Sequence, residues 1–433
     1  MSPPSPPGYA KATPGERLRR ARRTRPPKRG ARRRICVVTV ARSDYGIYRP
    51  LLRRIRDEPD LELSLVAAGM HLCPEFGDTA EEIHADGFEI AARVDMTLAS
   101  DGPGSIARSM GLGAIGFAHA YQQLEPDVIV VLGDRYEMHA ATVAAVPFLL
   151  PVAHIAGGSL TRGAIDDGFR HSITKLSHLH LVETEICSKR VIQMGEEPWR
   201  VQVSGALGLD NIREIKLLTL EELNRRFALC LERNAPPLLV TFHPVTREYQ
   251  NTRRYMEALS SALKSCGMPV VFTYPNADTN GRIIIDMIDR FVGKRPDAFG
   301  VPHLGTLGYF SLMAQATAMV GNSSSGIIEA ASFGLPVVNI GTRQAGRLAP
   351  ANVIAAGYAS AAILEAIERA AAPEFRKGLE GLVNPYGDGH AAERMIEVLK
   401  TTDLRDPRLI QKTFYEVDAT PCCLRRSLRR SRA

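Results

Sequence analysis

No stretch of this 433-residue chain is apolar and unbroken over the length that a membrane crossing needs. The longest candidate, residues 140–155, is interrupted by Pro147 and Pro151 and reads as helix, turn and strand. The first 34 residues lack the apolar segment that marks a secretory signal, which makes a cytoplasmic protein the expectation. Cysteine is sparse and unpatterned: seven residues, none in C-x-x-C spacing, with Cys422 and Cys423 adjacent near the end. That argues against a zinc framework or a disulfide scaffold and fits reduced thiols. No G-x-G-x-x-G follows the first apolar segment, so no dinucleotide cofactor is expected. No short repeat is present.

The formal net charge of +7 is not spread evenly. Residues 1–34 hold twelve Lys and Arg against Glu16, and residues 424–433 hold five arginines, which leaves about −9 for residues 35–423. The body is mildly acidic, so no nucleic-acid partner and no membrane partner is expected. The two ends are rich in Pro and Arg and read as disordered; a solvated end and an RNA- or membrane-surface arm are the alternatives. A transit peptide of this kind would be unusually proline-rich.

The body alternates strand and helix signals. Strand candidates are 35–40, 61–68, 128–132, 152–155 and 179–183, then 238–242, 270–274, 318–321 and 337–340. Capping boxes at Thr79-x-x-Glu82 and Thr219-x-x-Glu222 open helices. Alternating β and α implies parallel sheets covered on both faces. The expectation is an α/β protein of two Rossmann-like domains, 35–208 and 209–400, between a basic tail (1–34) and a C-terminal tail (401–433). Ligands then bind at the carboxyl ends of the strands, in the crevice between domains.

Polar clusters follow these strands. The most informative is Gly321-Asn322-Ser323-Ser324-Ser325-Gly326, between an apolar segment and a helical pattern beginning Ile327-Ile328-Glu329. Small residues let amides approach a ligand, hydroxyls add donors and a helix start adds positive charge, which suits a phosphate; a capped helix is the plain alternative. Glu329 is placed to accept from a sugar hydroxyl. The next strand ends in Gly341-Thr342-Arg343-Gln344-Ala345-Gly346-Arg347, with two arginines suited to a diphosphate.

Other residues carry two readings each. Asp134 either caps the following helix or does chemistry. Asp166 and Asp167 complement a helix dipole or act on substrate, and Arg170 stands at i+4 from Asp166. His243, before a proline at a strand end, is placed to donate to an oxyanion. Arg42 and Asp44 pair with one another or face the crevice. His178 and His180 share a strand face but have no third metal ligand nearby, so no metal is expected.

Taken together, residues 35–398 resemble the UDP-N-acetylglucosamine 2-epimerases, most closely the hydrolysing branch of sialic and nonulosonic acid biosynthesis. The motifs are Arg42-Ser43-Asp44-Tyr45, Gly133-Asp134-Arg135, Gly157-Gly158, Ile165-Asp166-Asp167, Arg170-His171, His243-Pro244-Val245-Thr246, Pro275-Asn276, Gly321-Asn322-Ser323-Ser324, Gly341-Thr342-Arg343-Gln344 with Gly346-Arg347, and Tyr386-Gly387-Asp388-Gly389. The resemblance implies a GT-B fold closing over a nucleotide sugar, no cofactor, and a homodimer or homotetramer. By position it implies that Ser323, Ser324 and Glu329 hold diphosphate and ribose. Arg42, His243, Asn276, Arg343 and Arg347 complete that site, and Asp134 and Asp166 are acid–base residues beside Asp167, Arg170 and His171. The implied reaction releases N-acetylmannosamine and UDP through a 2-acetamidoglycal; a diacetylbacillosamine nucleotide is the variant substrate. A glycosyltransferase of the same fold and a non-catalytic nucleotide-sugar binder are the rival readings. One departure stands out. Relatives usually carry glutamate at one or both of the positions held by Ala156 and Ser159, and many have it in the loop of Arg162. Asp167 or Glu137 as replacement, a different substrate, and impaired activity are the alternatives.

Overall fold

The computed structural model describes residues 32–73, 79–98, 102–161, 165–275 and 281–417. They form two parallel sheets. The first contains β1 (Arg33–Thr39), β2 (Leu61–Ala68), β3 (Ile90–Val94), β4 (Val128–Leu132), β5 (Val152–Ile155), β6 (Leu179–Val182) and β7 (Val201–Val203), in the order β3-β2-β1-β4-β5-β6-β7. The second contains β8 (Leu238–Thr241), β9 (Val270–Thr273), β10 (Ala298–Val301), β11 (Ala318–Gly321), β12 (Val337–Ile340) and β13 (Val353–Ala356), in the order β10-β9-β8-β11-β12-β13. In each sheet the chain starts in the middle, runs out to one side and returns to build the other. The order therefore reverses between β1 and β4 and between β8 and β11, where crevices open at the carboxyl ends of strands. These are two Rossmann-like domains.

The central strands are continuous apolar runs because both faces are covered. In the second sheet the side chains sort strictly by the period of two. Leu238, Val240, Val270, Phe272, Ala318, Val320, Val338 and Ile340 join one core, with helices Thr252–Cys266, Gly281–Val292 and Ser360–Ala371. Leu239, Val271, Met319 and Val337 join the opposite core, with helix Gly305–Gln315.

Four strands escape the sequence reading: β3, β7, β10 and β13. All four are sheet edges. None is buried along its whole length, and each is short or interrupted by polar residues or glycine except β13, a four-residue apolar stretch that is only partly buried. The helical pattern after β11 is also shorter than it reads. One α-turn, Ser325–Ile328, passes into a 3₁₀ turn, Ala330–Phe333, that stops at Gly334 in the left-handed region. The capping box at Thr219 is formed: its hydroxyl accepts from the Glu222 amide at 3.2 Å and its amide donates to the Glu222 carboxylate at 2.8 Å. Helix Thr79–Ala85 is present; the Thr79 side chain lies outside the described residues.

The end of the chain returns to the first lobe. Helix Ala391–Thr401, grouped by sequence order with the second half, packs Ala391, Ala392, Met395, Ile396 and Leu399 into the first core, against helix Arg42–Asp57. The stretch read as a C-terminal tail is tied down as well: Leu409 is buried, its carbonyl accepts from Arg200 Nη1 at 2.9 Å, and Lys412 Nζ donates to the Lys175 carbonyl at 2.9 Å. Helix Ala391–Thr401 starts with two amides donating to the Asp210 carboxylate, Ala391 at 2.9 Å and Ala392 at 2.8 Å. Asp210 belongs to helix Gly208–Glu214, which follows the crossover between lobes. Replacing Asp210 by Ala removes that cap and should lower stability by about 1–2 kcal/mol. Urea denaturation measures it; an unchanged midpoint would mean that the apolar face alone holds the returning helix.

Candidate active site

The first lobe's contribution starts where β4 ends. Gly133 takes a left-handed conformation, φ +79°. Its amide donates to the Ile155 carbonyl at 3.0 Å, and its carbonyl lies 2.8 Å from His154 Nε2. Burial holds the His154 imidazole well below the usual range, at about 3, so it is neutral and bridges Gly133 to Thr174. The turn fixed in this way presents Asp134 to Arg170, only 3% exposed, on helix Asp166–Leu176. Arg170 Nη2 pairs with Asp134 Oδ2 and lies 3.3 Å from Thr161 Oγ1; Nη1 donates to the Ala156 carbonyl at 2.8 Å. The intrahelical partner Asp166 is thus passed over for one on another element. Burial acts to raise the Asp134 carboxyl. The positive charges of Arg170, Arg347, Arg135 and Arg343 outweigh it and hold the group below the ordinary carboxylate range.

The second lobe supplies the serine turn. Gly321 has φ +143°, and a Cβ there would meet the Thr241 carbonyl at 1.9 Å, so only glycine fits. Asn322 is fully buried and joins three strand ends. Its Oδ1 accepts from the His243 amide at 2.7 Å, and its Nδ2 donates to the His243 carbonyl at 2.9 Å. Its own carbonyl accepts from Arg343 Nη1 at 3.1 Å and Gln344 Nε2 at 2.8 Å. Around this hub Ser323, Ser324 and Ser325 stay half-buried while Gly321, Asn322 and Gly326 are buried.

The lobes meet through Arg347, whose Nε donates to the Leu160 carbonyl at 2.9 Å and whose Nη2 donates to Thr161 Oγ1 at 3.2 Å. Glu329, 8% exposed, faces the same junction; a Cβ added to Gly208 would lie 3.0 Å from its Oε1. Burial, then the negative charge of Glu183, push the Glu329 carboxyl up to about 7, against the opposing pull of Ser325 and Arg347. Glu183 itself accepts from Ser159 Oγ at 2.5 Å.

The structure thus brings Asp134, Arg170, Arg347 and Glu329 together at one junction, with Ser323, Ser324, His243 and Arg343 on the loops beside it. Asp167 accepts from the Thr161 amide at 2.9 Å and lies 4.0 Å from His171, which is 39% exposed at its side chain. Asp166 opens the helix and is half-buried. Arg42 stands at the crevice edge, where its charge bears on His71 and His303. Asp44 turns inward and accepts from the Ala41 amide at 2.9 Å. Asn276 and Arg162 lie outside the described residues. His178 Nδ1 accepts from the Val152 amide at 3.1 Å, and His180 Nε2 bonds Glu196 at 2.9 Å, so each has a structural partner. His154, Asn322 and Glu183 were not legible as organisers in the sequence: each reads as part of an apolar strand or a small-residue turn.

Two Rossmann-like domains with a serine turn at a strand end of one and a carboxylate–arginine pair at a strand end of the other define a protein of the GT-B fold class. Residues 53–400 match the family UDP-N-acetylglucosamine 2-epimerase. The chain is 37% identical to the UDP-N,N'-diacetylbacillosamine 2-epimerase (hydrolyzing) of Legionella pneumophila, over 88% of this chain and 100% of that one. It is 34% identical to a UDP-N-acetylglucosamine 2-epimerase of Neisseria meningitidis serogroup B, over 78% and 87%. Its fold matches a Neisseria meningitidis UDP-GlcNAc 2-epimerase crystallised with UDP-GlcNAc at a TM-score of 0.74 and 18% identity, covering 84% of this chain and 99% of that one. This chain belongs to the UDP-N-acetylglucosamine 2-epimerase family.

Glu329 gives a pH signature. Folded, it keeps its proton up to about pH 7, whereas an unfolded glutamate releases it near ~4.3. Between those values the native state binds the extra proton. Its contribution is complete below the unfolded value and is lost as pH rises through 7. Glu329→Gln should therefore match the parent near pH 4 and exceed it at pH 8 by about 3–4 kcal/mol. Urea denaturation across that range measures the gap; parallel curves would contradict it.

Proposed function

We propose that this chain is a hydrolysing 2-epimerase: it converts a UDP-activated N-acetylated amino sugar and water to the free 2-epimer and UDP. The observation that carries this reading is the half-buried serine turn of one lobe beside Arg347, which reaches across to the lobe that holds the Asp134–Arg170 pair. The C2 proton of such a sugar has no adjacent carbonyl to acidify it. It leaves only if the anomeric C1–O bond breaks in the same event, so a carboxylate near C2 must work with strong stabilisation of the departing diphosphate. Ser323, Ser324, His243 and Arg343 supply the latter and Glu329 holds the ribose. The helix after the turn is one turn long, so hydroxyls and side-chain cations carry more of that load than a helix dipole does. Asp134, kept ionised by its arginines, and Asp166 exchange protons with the sugar; Arg42 and Asn276 complete the nucleotide site, and Asp167, Arg170 and His171 support the acids.

The sugar has two readings. UDP-N-acetylglucosamine is the simpler, and the relatives at 37% and 39% identity, whose names specify diacetylbacillosamine nucleotides, favour the second. Localisation in the cytoplasm is supported by five unpaired cysteines among the described residues. A homodimer or homotetramer rests on the family resemblance, and light scattering measures it.

Incubated in D₂O with UDP-N-acetylglucosamine and, separately, UDP-diacetylbacillosamine, the protein should release one free 2-epimer carrying deuterium at C2, seen by NMR. Intact substrate in both would leave a binder or a glycosyltransferase. Asp134→Asn should slow turnover by about 100-fold or more while UDP still binds; retained turnover would remove Asp134 from the chemistry. Ser323→Ala should weaken UDP binding by about 1 kcal/mol, and an unchanged calorimetric Kd would detach the turn from the phosphate.

A further inference from the structure

The two acids that the sequence offered in place of the missing loop glutamates, Glu137 and Asp167, are engaged elsewhere. Glu137 is fully buried against Arg135, whose Nη2 and Nε reach its oxygens at 2.9 and 3.2 Å. Asp167 holds the Thr161 amide. Glu183 is differently placed. It follows β6 directly and stands on the carboxyl edge of the first sheet, one strand beyond the Ala156 loop. It is 9% exposed, and among the described residues its hydrogen-bond donor is one hydroxyl, Ser159 Oγ. No ion pair among the described residues includes it. The structural carboxylates buried elsewhere have more: Glu137 and Glu196 are matched by Arg135 and Lys175, and Asp44 and Asp210 each accept from two backbone amides.

What faces Glu183 compounds the cost of its burial. Glu329 of the second lobe is close enough to feel its charge, and Glu329 Oε2 is buried without a hydrogen-bond partner. Tyr386 feels the same charge, together with those of Arg347, Cys187 and Arg190. Two buried acids with unused lone pairs, meeting across a cleft, make a site that a proton-bearing ligand completes.

We propose that Glu183, oriented by Ser159, is a catalytic proton-transfer carboxylate of this site, working from the β6 edge while Asp134 works from the β4 edge. This rests on the epimerase reading above. Two strand spacings put those edges on the order of 10 Å apart, room for a sugar ring between them. In the first step one carboxylate takes the C2 proton, the C–H pair becomes the C1=C2 bond, and the C1–O pair leaves on the diphosphate. In the second, the acid opposite delivers a proton to C2 on the other face, the C1=C2 pair becoming the new C–H bond, and a water oxygen bonds the electron-poor C1 and gives its proton to a carboxylate. One proton is thus removed from C2 and one returned.

The test compares the parent, Glu183→Gln, and a swap combining Ser159→Glu with Glu183→Ser, using UDP release from both nucleotide sugars and UDP affinity by calorimetry. Because Ser159 Oγ touches the Glu183 carboxylate, the swap returns an acid to the same place from residue 159. Glu183→Gln should slow turnover by about 100-fold or more with UDP affinity unchanged, and the swap should turn over faster than Glu183→Gln. An active parent whose Glu183→Gln variant keeps its rate would overturn the proposal alone. So would a variant that loses UDP binding in step with turnover, which is the mark of a structural role. A parent inert toward both nucleotide sugars would instead bring down the epimerase reading, and this assignment with it.

Discussion

The crevice depends on a guanidinium that crosses it. Arg347 leaves the second lobe and ends on the Leu160 carbonyl and the Thr161 hydroxyl of the first, and Arg170 approaches the same hydroxyl from below. Two like charges share one small acceptor, a close approach that the Asp134 carboxylate makes tolerable. The result is a segregation of charge. Arginines gather on Asp134 and keep it ionised, while the neighbouring pair Glu183 and Glu329 is left poor in cations, and burial with mutual repulsion lets Glu329 keep a proton to about pH 7. Carboxylates whose surroundings push their proton affinities apart are what acid–base chemistry on one substrate requires.

The sequence was a good guide to the fold wherever the strand was central. Runs such as 128–131 and 238–240 are buried on both faces, so they stay apolar at every position and stand out from the helices around them. The edge strands were illegible for the complementary reason. Residues 90–93 alternate half-buried and exposed positions before the buried Val94, and Val201–Val203 is only three residues long and not fully buried anywhere. A strand paired on one side needs no continuous apolar signal. The return of helix Ala391–Thr401 to the first lobe was hidden too, because an amphipathic stripe states that a face is buried without saying against which lobe.

The site was legible where it consists of punctuation. Gly133 before Asp134 and the Gly321–Gly326 turn stand out because small residues interrupt apolar strands, and the carboxyl ends of strands are where a parallel sheet can hold a ligand. Partnerships were not legible. Asp166 was the local candidate for Arg170, yet the guanidinium points inward to Asp134, 36 residues away. Asn322 looks like any turn asparagine until the β8, β11 and β12 ends converge on it. Glu183 ends an apolar segment, and its meaning lies in Ser159, 24 residues earlier, and in Glu329 on the other lobe.

The Ala156 loop shows how one carboxylate position can move without loss of the surrounding order. Ala156 sits in the left-handed region at φ +64°, its amide donates to the Leu181 carbonyl and its carbonyl accepts from Arg170. The loop therefore serves through its backbone: it locks β5 to β6 and seats the arginine that holds Asp134. Neither task needs a particular side chain at residue 156. Where the family resemblance leads one to expect acids on this loop, the chain instead places one at the end of the adjoining strand. Register fixes that relation, since Ile155 pairs with Leu181 and the next residues of both strands emerge side by side at the carboxyl edge. A parallel sheet offers adjacent strand ends as near-equivalent platforms, so the constraint on such a site is the carboxylate's position in the crevice rather than the strand that carries it.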